Sequence, residues 1–154
     1  MEGGIALGQL RGRAKCKIAF DIHPNLPDLE VDPQRLMQAI AALVANAIKF
    51  TPDHGQITVH GRRTATGGVR IAVRDTGIGM SPEKIADAFQ PFRQLDSTLS
   101  RRFEGAGLGL SICKALVELH GGALSIESAE GEGTTVSIDL PPARVKLRVL
   151  AAAG

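Results

Sequence analysis

The order of elements in this chain of 154 residues predicts an α+β two-layer sandwich. Three observations carry that expectation. Two long stretches repeat their apolar residues at helical spacing: Leu36, Ile40, Leu43, Ala47 and Phe50 in one, residues 108–120 in the other. Short alternating or β-branched runs lie around them at 15–22, 57–60, 69–73, 123–127 and 134–140. Their succession lacks the regular strand–helix–strand alternation that builds a doubly wound parallel sheet. A hydrophobic content of 44% suits one domain with a real core. Five Phe and no Trp or Tyr leave that core to aliphatic side chains.

Each element has a local cause. In the first strand Cys16, Ile18, Phe20 and Ile22 share one face. Pro24, Asn25 and Pro27 break the chain after it. Asp32 is a good N-cap with Pro33 at the first helical position, and Thr51-Pro52 ends the helix. Residues 57–60 and 69–73, joined through glycines, predict a hairpin. A Gly-rich loop runs from Asp75 to Met80, and Ser81 caps a short helix start. Residues 90–107 are polar and aperiodic, as binding loops often are. Gly121-Gly122 stops the second long helix. Two strands around a glycine turn follow, and Pro141-Pro142 closes the domain.

Composition excludes several functions. Eighteen Lys and Arg against 16 Asp and Glu give a net charge of +2, without the basic bias that marks nucleic-acid binders. Cys16 and Cys113 form no CxxC pair, so a zinc site of ordinary spacing is unsupported, and two buried free thiols in a reducing compartment are expected. No apolar run approaches the ~20 residues that span a bilayer. The opening Met1-Glu2-Gly3-Gly4 lacks the plan of a signal peptide. The expected location is cytoplasmic, and any membrane anchor would belong to a longer parent protein.

Four pieces carry chemistry. Ala39, Ala42, Asn46 and Lys49 form a stripe beside the apolar face of the first long helix. Asn46 and Lys49, three residues apart, point the same way and pair a carbonyl oxygen for a hard cation with an ammonium for phosphate. Asp75-Thr76-Gly77-Ile78-Gly79-Met80 follows a strand, with glycines that let a flat ligand approach and an acid that can accept from an amine. Gly105-Ala106-Gly107-Leu108-Gly109-Leu110 opens a helix, whose free N–H groups and dipole favour an anion. It is neither GxGxxG after a strand nor a P-loop. Between these lie Phe89-Gln90-Pro91-Phe92 and Arg101-Arg102-Phe103, aromatics for docking and guanidinium groups for phosphate. Each piece alone also reads as ordinary solvated or packing residues, and for the helix stripe and the Asp75 turn that is the stronger reading.

Together and in this order, from about Lys15 to Pro142, they resemble the ATP-binding catalytic domain of bacterial sensor histidine kinases. Residues 32–52 resemble the N box, Asp75–Met80 the first glycine box, Phe89–Phe92 the phenylalanine box, and Gly105–Leu110 the second glycine box. The resemblance implies the fold shared with gyrase, MutL and heat-shock chaperone ATPases: a mixed sheet with helices on one face and ATP under a lid of about Ser81 to Gly105. It implies Asn46 as the magnesium ligand and Asp75 as the partner of the adenine amino group. Lys49 and one or both of Arg101 and Arg102 would meet phosphates, cradled by Gly105, Gly107, Leu108 and Gly109. Gly77 and Gly79 would face the base, with Thr134 supporting adenine. The cofactors implied are ATP and Mg.

Two departures from the pattern stand out. Ala42 replaces the Asn of many members, and the Glu that serves as general base in the hydrolysing relatives. Ala106 replaces a usual Thr. None of His23, His54, His60 and His120 is followed by the acid and Arg-Thr-Pro of a phosphoacceptor; each is expected to be a surface or capping residue. The expected partner is therefore a dimerisation and histidine-phosphotransfer domain of the same parent, with a response regulator engaged only indirectly. No nucleic acid or membrane contact is expected, and the chain alone should be monomeric. Residues 1–13 would be linker from the dimerisation helices, 14–142 the ATP-binding domain, and 143–154 a basic tail or the start of a receiver-like domain. The alternative reading is a non-catalytic ATP-binding regulatory module.

Overall fold

The computed structural model describes residues 16–88 and 106–146. The elements run β1 Lys17–Ile22, β2 Asp28–Leu29, α1 Pro33–Phe50, β3 Gln56–Arg63, β4 Val69–Asp75, α2 Pro82–Ala88, α3 Ala106–Leu119, β5 Ala123–Ala129 and β6 Gly133–Leu140. A 3-10 turn, Pro142–Arg144, leads to β7, Val145–Lys146. Five strands form a sheet in the order β1-β3-β4-β6-β5. Only β1 and β3 pair in parallel there, with α1 between them in sequence; the other neighbours are antiparallel. This is the expected mixed α/β sandwich, with the hairpin β3–β4 in register from Ile57↔Asp75 to Arg63↔Val69.

Helix α1 starts and stops for local reasons. The Asp32 carboxylate accepts the N–H groups of Gln34 and Arg35 at 3.1 and 3.2 Å, satisfying donors the helix cannot. Thr51 is extended at ψ 122°, the conformation imposed on a residue before proline. Leu36, Ala39, Ile40, Leu43, Val44 and Ala47 are buried. They join Ile57, Val59, Val73, Val136 and Ile138 from the sheet in one core.

That buried face is wider than the apolar stripe in the sequence. Ala39, placed on the polar flank by its spacing, is 1% exposed, while Phe50 is only half-buried. The cause is α3, which packs along the flank: the Cys113 thiol donates to the Ala39 carbonyl at 3.2 Å. Burial pushes the Cys113 thiol up to about 12, so it stays protonated. Both cysteines are free and buried, as expected. Cys16, just before β1, and Ile18 on it are buried, but Phe20 and Ile22, farther along this edge strand, are each 48% exposed.

Two contacts set α1 and α3 antiparallel. Asp32, at the start of α1, donates its N–H to Nε2 of His120, at the end of α3, at 3.0 Å. Ala39 and Cys113 meet farther along, each about 10 Å from that end at the helical rise of ~1.5 Å per residue. Helix α3 ends in a Schellman motif: Gly121 N–H bonds Glu118 O and Gly122 N–H bonds Val117 O, with Gly121 left-handed at φ +73°. The described chain continues past Pro142. β7 pairs with β2, and Arg144 donates to the carbonyl oxygens of His120 and Glu30.

Candidate nucleotide-binding site

The chemistry-bearing residues gather at the other end of the two helices. Cross-strand register places Ile57, Asp75, Thr134 and Ser128 side by side on β3, β4, β6 and β5. All four share the core-facing phase of their strands with Val59, Val73, Val136 and Ile126. The sheet therefore ends, beneath the helix layer, in a row of three polar side chains.

Asp75 is 7% exposed. Its Oδ1 accepts the Gly77 N–H at 2.8 Å, and the Thr134 N–H is a second donor to the carboxyl. Burial raises its pKa above the ordinary aspartate value, and these two N–H groups pull it back down. The result is a buried acceptor whose orientation is held by backbone donors on both sides.

The loop after Asp75 is clamped. Ile78 N–H reaches Phe50 O at 3.3 Å on the α1 side; Gly131 N–H reaches Ile78 O at 2.7 Å on the β5–β6 side. Met80 N–H bonds Ser128 Oγ at 2.7 Å. The glycines allow this closeness. A Cβ on Gly77 would lie 2.4 Å from Phe50 O, and one on Gly79, at φ +72°, would lie 1.9 Å from Ala129 O. The close approach they permit here is that of the protein's own backbone.

Asn46 lies two helical turns beyond Ala39 on the flank facing α3. Counting ~1.5 Å per residue from the Asp32–His120 contact, Asn46 on α1 and Gly107 on α3 both sit about 20 Å away, at one level. The Asn46 Nδ2 is buried with no hydrogen-bond partner among the described residues, as is Thr51 Oγ1. A buried unpaired amide costs about 1–3 kcal/mol, which a ligand's polar groups would relieve. Lys49 is exposed one turn on, its Nζ 5.8 Å from the Phe50 ring centre. Ala42 is half-buried against the core and presents no base.

Gly107, Leu108 and Gly109 lie in the first turn of α3, where N–H groups have no helical acceptor. Gly105, Arg101, Arg102 and the phenylalanine box Phe89–Phe92 lie outside the described residues. Asn46, Lys49, Asp75, Gly77, Gly79, Gly107, Leu108, Gly109 and Thr134 thus meet at one end of the sandwich. Among the described residues a concavity of about 510 Å3 opens at the opposite end, lined by Glu30, Asp32, Arg35, His120 and Arg144. It shares no residue with this row.

Sequence reasoning missed two residues. Ser128 completes the polar row, and its signal was a hydroxyl in the core phase of a strand, after Leu124 and Ile126. For His120, expected as a surface or capping residue, the capping half holds, since it is 5% exposed at the end of α3; what the sequence missed is its link to α1. Its Nδ1 meets Leu116 O at 2.8 Å while Nε2 accepts from Asp32, so it joins the end of α3 to the start of α1. No local signal marks that role.

A mixed sheet with a polar row at its end, under antiparallel helices of which one opens on glycines, is the fold of a known class of ATPase domains. The chain belongs to the family of histidine kinase-, DNA gyrase B- and HSP90-like ATPases, which matches residues 31–144. It is 42% identical over 142 residues to the non-motile and phage-resistance protein of Caulobacter vibrioides, covering 88% of this chain and 17% of that protein. It is 39% identical over 150 residues to the cell-division control histidine kinase PdhS of Brucella canis, covering 92% of this chain and 14% of that one. The chain therefore spans a small part of the length of these relatives. Among solved structures, the mycobacterial sensor histidine kinase MprB superposes with a TM-score of 0.73 at 27% identity, over 90% of this chain and 92% of that one. Full-length ShkA in complex with AMPPNP gives 0.75 at 28% identity, over 97% of this chain and 31% of that one.

Proposed function

We propose that this domain transfers the γ-phosphoryl group of ATP to a histidine on a dimerisation domain of the same parent protein. The observation that carries the reading is the common level of Asn46 and the glycine start of α3, at the end of the fold where Asp75 is buried. A neutral side-chain oxygen, open helical N–H groups and a buried carboxylate on one side of the sheet support this reading.

In this reading Asp75 accepts from the adenine amino group, and Thr134 supports the base. Gly107, Leu108 and Gly109, with Gly105, offer backbone N–H groups to the phosphates. Lys49, with Arg101 or Arg102, adds positive charge. Among the described residues no three His, Cys, Asp or Glu side chains group around an ion site. The Asn46 side-chain oxygen is the atom that would ligate a magnesium held chiefly by phosphate oxygens and water, and its buried, unpaired Nδ2 would then donate to a phosphate oxygen. Magnesium would supply charge neutralisation on the transferring phosphoryl group. The residues of this chain position and screen rather than form covalent bonds. Ala42 cannot abstract a proton from water, so the histidine would compete well against hydrolysis. The domain would act in the cytoplasm; among the described residues no helix is long and apolar enough to cross a membrane.

The test is phosphotransfer in the parent protein. The native domain should label the acceptor histidine from γ-labelled ATP with magnesium, and Asn46→Ala should reduce labelling at least about 100-fold, the scale of a lost preorganised charge-stabilising contact. Undiminished labelling by the variant would overturn the assignment of Asn46.

A further inference from the structure

We propose that Ser128 is a positioning residue for base selection: it holds the Thr134 hydroxyl so that this hydroxyl can only accept hydrogen bonds from a nucleotide. The inference rests on the reading of Asp75 and Thr134 as base contacts and names what sets their selectivity.

The argument is a count of protons. A serine hydroxyl has one hydrogen and two lone pairs. Ser128 Oγ lies 3.0 Å from Gly133 O, and a carbonyl can only accept, so the one hydrogen of Ser128 goes there. Met80 N–H donates to Ser128 Oγ at 2.7 Å and occupies one lone pair. The remaining neighbour is Thr134 Oγ1, at 2.7 Å. Ser128 has no second hydrogen to offer, so Thr134 is the donor in that contact. Thr134 thereby spends its only hydrogen sideways, along the row, and keeps lone pairs alone for the space beside Asp75.

The backbone enforces the arrangement. Ser128 and Thr134 are directly paired across β5 and β6, and Thr134 is paired with Asp75 across β4 and β6. Gly133 turns at φ +86°, and a Cβ there would lie 2.2 Å from Asp75 O, so only glycine lets the start of β6 lie this close to the end of β4. The Thr134 N–H is directed at the Asp75 carboxyl. Backbone donor toward Asp75 and side-chain donor toward Ser128 leave this residue no further N–H or O–H. The row thus presents acceptors to the base: the Asp75 carboxylate and the Thr134 oxygen. At the exocyclic 6-position a 6-amino purine supplies hydrogens to such a row, directly or through a water that donates, whereas a 6-oxo purine sets oxygen against oxygen there.

The experiment is calorimetric titration of the native domain and its variants with ATP and with inosine triphosphate, each with magnesium. The readout is the ratio of the two dissociation constants. Native protein should prefer ATP. Ser128→Ala frees the Thr134 hydrogen to rotate toward the base, and the ratio should fall roughly three- to tenfold, the span of one neutral hydrogen bond. Ser128→Thr keeps the hydroxyl and should restore the ratio. Thr134→Val removes the oriented oxygen and should lower the ratio similarly, and adding Ser128→Ala to it should change the ratio no further. If Ser128 only braced the Met80 loop, both nucleotides would weaken equally and the ratio would stay native, which overturns the proposal. Should Ser128→Ala melt too low to titrate, Thr134→Val decides: a native ratio in that variant overturns it equally. Native protein that binds both nucleotides alike would instead remove the reading of Asp75 as the base anchor, and this inference with it.

Discussion

Replacing the Asp75 carboxylate by its amide, Asp75→Asn, separates affinity, base selection and stability in one variant. The Gly77 N–H, 2.8 Å from Oδ1, demands an acceptor. The Asn amide has one oxygen, so that oxygen stays with Gly77 and its NH₂ turns to the second position. There it meets either the Thr134 N–H or the adenine amino group, both of them donors. ATP would therefore lose a hydrogen bond to a charged group, worth ~1.5–3 kcal/mol, and face a donor in its place. At ~1.4 kcal/mol per tenfold, binding should weaken by about 10- to 150-fold. A 6-oxo purine gains a donor, so the preference for ATP should shrink further than the affinity. Stability depends on pH through the same group. Burial raises the Asp75 pKa, so folding binds a proton more tightly at this group, and its contribution to stability falls as pH rises through the raised pKa. At neutral pH the charged carboxylate costs stability that Asn does not. The amide NH₂ set against the Thr134 N–H lowers the melting temperature of Asp75→Asn at every pH, and its deficit against native protein should shrink as pH rises through the Asp75 titration and the native carboxyl takes up charge. Calorimetric titration with ATP and inosine triphosphate, with thermal melts from pH 4 to 8, reads all three. Unchanged ATP binding in a folded variant would refute the placement of the base.

Other consequences are equally direct. With Ala42 in place of a general base, steady-state ATP hydrolysis by the isolated domain should be slower by roughly 10²–10⁴-fold than in relatives that keep a Glu there; a phosphate-release assay measures it. Gly133→Ala sets a Cβ at φ +86° against Asp75 O and should destabilise the fold by more than ~1 kcal/mol in denaturant titration. His54 is the one non-glycine residue at positive φ among the described residues, at 71°, in an exposed turn; His54→Gly should raise stability by about 0.5–1 kcal/mol in the same assay. Asp32→Ala removes the acceptor of two helical N–H groups and should cost ~1 kcal/mol.

What was legible in the chain was local. Asp32-Pro33 and Thr51-Pro52 bound α1 because caps and prolines act within a few residues. Gly121-Gly122 ended α3 for the same reason. The end of β4 at Asp75 and the glycine loop after it were readable because strand alternation and glycine runs are sequence-neighbour properties. The resemblance implied roles for Asn46 and Asp75 without their surroundings.

The surroundings depended on pairings between residues far apart in the chain. The Asp32–His120 contact spans 88 residues and the Ala39–Cys113 contact 74; together they set α1 and α3 antiparallel and bring Asn46 level with Gly107. No periodicity within either helix contains that direction. The same holds for the widened face that buries Ala39, and for Gly77 and Gly79, whose missing side chains admit Phe50 and Ala129 backbone. Ser128 shows the limit most clearly. The strand read from the sequence stopped at 127, one residue short of it, and its role depends on hydrogen-bond partners from three segments, Met80, Gly133 and Thr134, that only folding brings to one oxygen.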